Sequence, residues 1–133
     1  MTSILDQFNS VNGLHAEVIF PEHDFFLRVH AAIGTPAVAW VTQHRELLRE
    51  ALLHYGVVLM RGLACDRLAF SSVAEVLEPT AIDYTSGTGP RSIVEKDVFS
   101  IDVPGSLGLA QHNEMAYNNY WPMQVLFFCE QPP

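Results

Sequence analysis

Gly56 stands where one periodicity ends and another begins, and that junction limits the folds open to the chain. Before it, Thr35 can cap a helix, Pro36 suits the first helical position, and Val38, Val41, Leu48, Leu52 and Tyr55 recur at a roughly helical spacing. After it, Val57-Val58-Leu59-Met60, closed by Arg61-Gly62, has the length and composition of a buried strand. A second helix starts at an Asp66 cap and carries Phe70, Val73, Ala74 and Leu77 on one stripe before Pro79 ends it. That stripe is placed to pack on the preceding strand. Helix, strand and helix in succession predict an α+β domain.

The flanking regions are less regular. The first thirty residues hold short apolar clusters, Val18 to Phe20 and Phe25 to Leu27, separated by turn signals at Asn12-Gly13 and Pro21. Thr85-Ser86-Gly87-Thr88-Gly89-Pro90-Arg91 is a glycine-containing loop without the lysine and following helix that a phosphate-binding loop requires. Val94, Val98 and Ile101 suggest extended structure, Pro104-Gly105-Ser106 a turn, and Met123 to Cys129 a strand apolar on both faces.

Composition narrows the function classes. A chain of 133 residues with 49% hydrophobic and 17% charged residues has enough apolar mass for one core and too little length for two. Seven basic against fifteen acidic residues give a net charge of −8, which repels a phosphate backbone and argues against nucleic acid as a partner. Cys65 and Cys129 form no CxxC pair, so neither a zinc knuckle nor a disulfide framework is predicted, and Cys129 reads as a small core residue. The start, Met1 to Gln7, carries Asp6 and no basic residue, and no apolar run approaches the roughly 18 residues needed to span a bilayer. The expectation is a cytoplasmic protein without signal peptide or membrane segment.

The chemistry centres on His112-Asn113-Glu114. On a strand, residues i and i+2 share a face, so an imidazole and a carboxylate at this spacing can reach one ion, as two corners of a 2-His-1-carboxylate iron site. Spacing alone is weak evidence: six histidines and fifteen acidic residues supply about one such pair by chance, and the sequence holds three. His44 and Glu46 fall inside the predicted helix, where residues two apart point about 200° apart around the axis. His15 and Glu17 lie near the chain start with no second polar cluster evident beside them. His112 and Glu114 are followed by Met115, Tyr117, Tyr120, Trp121 and the apolar run, the surroundings of a ligand site.

These residues also carry a resemblance. Tyr55-Gly56-Val57-Val58-Leu59-Met60-Arg61-Gly62, then Gly89-Pro90-Arg91, then His112-Asn113-Glu114-Met115-Ala116-Tyr117, and Trp121-Pro122 through Phe127-Phe128-Cys129 are similar to the taurine dioxygenase family, in order, from about Trp40 to Pro133. The likeness is strongest to members that hydroxylate amino acids in peptide natural-product biosynthesis.

The resemblance implies a double-stranded β-helix, or jelly roll, flanked by helices, of which residues 1–133 would form the N-terminal portion of a single domain. It implies Fe(II), 2-oxoglutarate as co-substrate and O2, with His112 and Glu114 as metal ligands and Arg91, Gln111 and Tyr117 as candidate substrate contacts. The family's distal histidine and its 2-oxoglutarate-binding arginine fall beyond Pro133, so catalysis by these residues alone is not expected. Relatives that halogenate lack a carboxylate where Glu114 stands, which favours hydroxylation. The implied substrate is a small molecule, an amino acid either free or carried as an aminoacyl group on a peptidyl carrier protein. Two rivals remain: a non-catalytic binding module, with self-association through the C-terminal strand, and a zinc hydrolase, for which no HExxH motif is present.

Overall fold

The computed structural model describes residues 2–80, 91–96, 98–101, 106, 108, 110–113, 116, 119 and 121–131. The order is α1 (Ile4–Asn9), β1 (His15–Phe20), a 3-10 turn (Pro21–His23), β2 (Phe25–Pro36), α2 (Ala37–Tyr55), β3 (Val58–Ala64), α3 (Arg67–Leu77), β4 (Arg91–Glu95) and β5 (Val98–Ile101). Strands β1, β2 and β3 form one sheet in that order, β1 antiparallel and β3 parallel to β2, while β4 and β5 form an antiparallel hairpin. The predicted α+β class stands. Among the described residues these two small open sheets form no closed jelly roll.

Helix α2 lies across β2 and β3 and supplies half of the core. Ala37, Trp40, Val41, Leu48, Ala51 and Tyr55 point inward, meeting Leu27 and Val29 of β2 and Ala16 of β1, with Phe8 of α1 sealing one end. A fully buried side chain such as Phe8 or Leu27 stabilises by about 1.5–3 kcal/mol. The sequence stripe found Val41, Leu48 and Tyr55 and missed the alanines, whose size lets the helix approach the sheet. Thr35 and Pro36 belong to the end of β2 instead of opening the helix: Pro36 occupies the cap position without a side-chain cap, and the Thr35 hydroxyl donates to the Ala32 carbonyl (2.7 Å). Gly56 does stop the helix, at φ 72°, its N–H donating to the Leu52 carbonyl (2.9 Å).

Strand β3 departs from expectation in two ways. It runs through Arg61-Gly62 to Ala64, and it is half-buried, because β2 flanks it on one side and no described strand flanks it on the other. Gly62 has φ +86°, and a Cβ there would lie 2.2 Å from the Ala31 carbonyl oxygen, where the β2–β3 register shifts between His30 and Thr35. At the opposite edge the Asn9 side chain pairs with the backbone of Ala16, accepting its N–H (2.7 Å) and donating to its carbonyl (3.1 Å).

Helix α3 begins as predicted, with the Asp66 carboxylate accepting the Ala69 N–H (2.8 Å). It packs on α2 in place of β3, because the sheet face on that side is already taken by α2.

Candidate functional site

Residues 102–120, which carry the His112 motif, run between two segments docked on α3. Upstream, the β4–β5 turn is held by the Ser71 hydroxyl, which donates to the Lys96 carbonyl (2.8 Å), and by a Lys96–Glu75 ion pair (3.5 Å). Downstream, Phe128 stacks on Phe70 with ring centroids 5.3 Å apart, and the Arg67 guanidinium donates twice to the Glu130 carboxylate (2.5 and 2.9 Å). The strand predicted over Met123 to Cys129 does not form: the segment pairs with no strand among the described residues and docks on α3 through side chains instead. Its even-numbered side chains, such as Leu126 and Phe128, are half-buried and its odd-numbered ones are exposed, so Cys129 is a surface residue and not a core one.

His112 is exposed, and its Nδ1 lies 2.8 Å from the Ala110 carbonyl oxygen. A carbonyl can only accept, so in this hydrogen bond Nδ1 donates, as it does in metal-binding histidines. The expected surroundings differ. Residues 110–113 lie outside any strand, and Gln111, His112 and Asn113 are solvent-exposed. Glu114 and Tyr117 lie outside the described residues, as do Pro104-Gly105 and the loop before Arg91. Arg91 opens β4 opposite Ile101 and so belongs to a strand end and not to the loop.

The two discarded motifs have definite environments. His44 and Glu46 do sit in α2; burial pushes the His44 imidazole down from its usual value, and its ring lies 4.9 Å from Trp40. His15 and Glu17 have the polar neighbours that the sequence did not reveal. Cross-strand pairing puts Arg28 opposite Glu17 and His30 opposite His15, on the sheet face away from α2. The Arg28 guanidinium donates twice to Glu17 (2.6 and 3.0 Å), with His30 Nε2 3.8 Å from the same oxygen. Hydrogen bonding from Arg28 holds the Glu17 carboxyl below its ordinary range. This carboxylate already has a fixed cation, which opposes a metal ion at the same place.

No group of three His, Cys, Asp or Glu side chains among the described residues is arranged to hold a metal ion. Burial raises the Cys65 thiol, with the Asp66 charge adding to the effect. An open cleft of about 610 Å³ runs along α2, lined by residues including Gln7, Thr42, His44 and Glu50, and contains none of the candidate residues. No helix among the described residues is long and apolar enough to cross a membrane.

Comparison with curated proteins and with solved structures gave no significant match. Residues 29–133 match the family described as taurine catabolism dioxygenase TauD, TfdA family. The match covers well over half of the sequence, including the α2–β3–α3 unit and the His112 motif. The chain therefore belongs to the TauD/TfdA family of Fe(II)/2-oxoglutarate dioxygenases.

Proposed function

We propose that this chain carries the proximal metal-binding half of a small-molecule hydroxylase, with His112 and Glu114 as Fe(II) ligands. The observation that supports it most directly is the His112–Ala110 hydrogen bond, which orients the imidazole through Nδ1. When bound, Fe(II) and 2-oxoglutarate supply the oxidising chemistry drawn from O2. The chain's own residues hold the ion and orient the substrate. Arg91, Gln111 and Tyr117 are the proposed substrate contacts, and an amino acid, free or as an aminoacyl group on a carrier protein, is the proposed substrate; both rest on family resemblance.

Mn(II), a paramagnetic stand-in for Fe(II), tests the ligand assignment. It is expected to broaden the His112 ring protons selectively, and Glu114→Ala should weaken the effect at least about tenfold, the low end of what even outer-shell changes cost. Broadening centred on His15 and His30 would overturn the assignment. No histidine or arginine follows Glu114 in the sequence, so residues 1–133 alone should show no 2-oxoglutarate-dependent O2 uptake with Fe(II) and ascorbate. Turnover would mean that an upstream histidine completes the site.

A second reading, a binding module that self-associates, is favoured by one observation. Trp121, Met123, Val125 and Phe127 are 61%, 92%, 45% and 81% exposed along one side of the C-terminal segment. Sedimentation of the wild type against Met123→Lys distinguishes the readings.

A further inference from the structure

His15 and His30 are partners in the β1–β2 register, so their imidazoles rise from directly opposite strand positions onto the sheet face away from α2. Their ring centroids are 6.2 Å apart. Two imidazoles that share one ion, each through a nitrogen about 2.0–2.1 Å from it, hold their centroids no more than roughly 6.5 Å apart. The pair already lies within that span. His15 is exposed and His30 half-exposed, so an ion can reach both from solvent. The backbone beneath them is fixed: Ala16 and Val29, the next position inward on each strand, are buried in the core, and the Asn9 side chain holds both backbone groups of Ala16. Binding an ion therefore orders two side chains and leaves the strands as they are.

We propose that His15 and His30 form a two-histidine site for a late first-row divalent cation of the Zn(II) class, with water in the remaining positions. Imidazole nitrogen suits Zn(II), Cu(II) and Ni(II), whereas Mg(II), Ca(II) and Mn(II) favour oxygen donors. Glu17 is a neighbour of the site and not a third ligand: Arg28 already donates twice to its Oε1, the oxygen that lies 3.8 Å from His30 Nε2. Two cations border the pair, Arg28 and, opposite His30 on β3, Arg61, and their charges keep the affinity modest. An ion held here ties β1 to β2 through side chains, in addition to the backbone ladder. His112 takes no part, so the site stands or falls separately from the iron reading. Mn(II), at the weak end of the divalent series, should leave it empty at concentrations where Zn(II) fills it.

The test is a Zn(II) titration of the intact chain at neutral pH, read at the ring signals of His15 and His30. Both signals should move with one common dissociation constant. In His15→Ala the His30 response should weaken at least about tenfold, since losing a direct ligand costs no less than losing an outer-shell partner. Zn(II) should also raise the thermal midpoint of the wild type and not that of His15→Ala, because only a ligand that prefers the folded state stabilises it. His30→Gln, read at His15, asks the same question without altering β1, and circular dichroism checks that each variant keeps its fold. Two different dissociation constants, or a His30 response unchanged in His15→Ala, would make these independent surface histidines and refute the site. A Zn(II) response confined to His23, His44, His54 or His112 would refute it as well.

Discussion

His15-Ala16-Glu17 and His112-Asn113-Glu114 have the same spacing and opposite surroundings. The first lies on a strand whose neighbour delivers Arg28 to Glu17 and His30 to His15, so its carboxylate is neutralised inside the protein. In the second, His112 and Asn113 lie outside any strand, and the histidine is oriented by a carbonyl two residues away. Two side chains on one strand face, the geometry expected of a ligand pair, occur at His15 and Glu17. The charge that the fold brings to Glu17 is encoded by no local spacing.

Three substitutions sharpen or break this contrast. The largest effect is expected at Gly62, where any side chain meets the Ala31 carbonyl at a left-handed backbone position. Gly62→Ala should cost about 1–3 kcal/mol of stability, measured by urea denaturation, and disturb the Glu17–Arg28 face while sparing the α3 contacts of the C-terminal segment. An unchanged midpoint would mean that the register shift between β2 and β3 is misplaced. Next, Arg28→Ala removes the resident cation from Glu17. Zn(II) affinity at His15, Glu17 and His30 should rise roughly two- to fivefold, followed by titration of the His15 and His30 ring signals; a fall would show that Arg28 organises the cluster without blocking it.

The smallest effect is in pH dependence. Glu17 titrates below its ordinary value because Arg28 bonds to its charged form. A depressed carboxyl contributes stability that is fully present above the unfolded value of 4.5 and is lost as pH falls through the folded value. Glu17→Gln should therefore flatten the acid limb of a stability profile and leave the neutral limb parallel to wild type. An acid limb identical to wild type would remove Glu17 from the account.

Much of the α2–β3–α3 unit was legible because each element announces itself locally: a helical stripe ended by Gly56, a short apolar run, and an Asp66 cap. Strand β2 was not. Its twelve residues include Arg28, His30 and the irregular stretch between His30 and Thr35, so no clean alternation marks it, and Thr35-Pro36 at its end imitates a helix start. The same gap hid the Glu17–Arg28 pair, whose members are eleven residues apart and meet only through the hairpin. At the candidate site the residue types were legible and the backbone was not. His112 is held by the Ala110 carbonyl, a main-chain group that carries no sequence signal. The odd-even split of Trp121 to Cys129 was hidden too, since apolar residues occupy both sides and only docking on α3 distinguishes them.

Asn9 gives the main sheet two unlike edges. By occupying the donor and acceptor of Ala16, its amide acts as a one-residue strand and closes the outer edge of β1 near its start. No described strand closes the outer edge of β3 in the same way. Among the described residues, the side chain of one residue in a six-residue helix thus makes the two edges of the sheet unequal, leaving a further strand fewer free backbone groups to pair with on the β1 side.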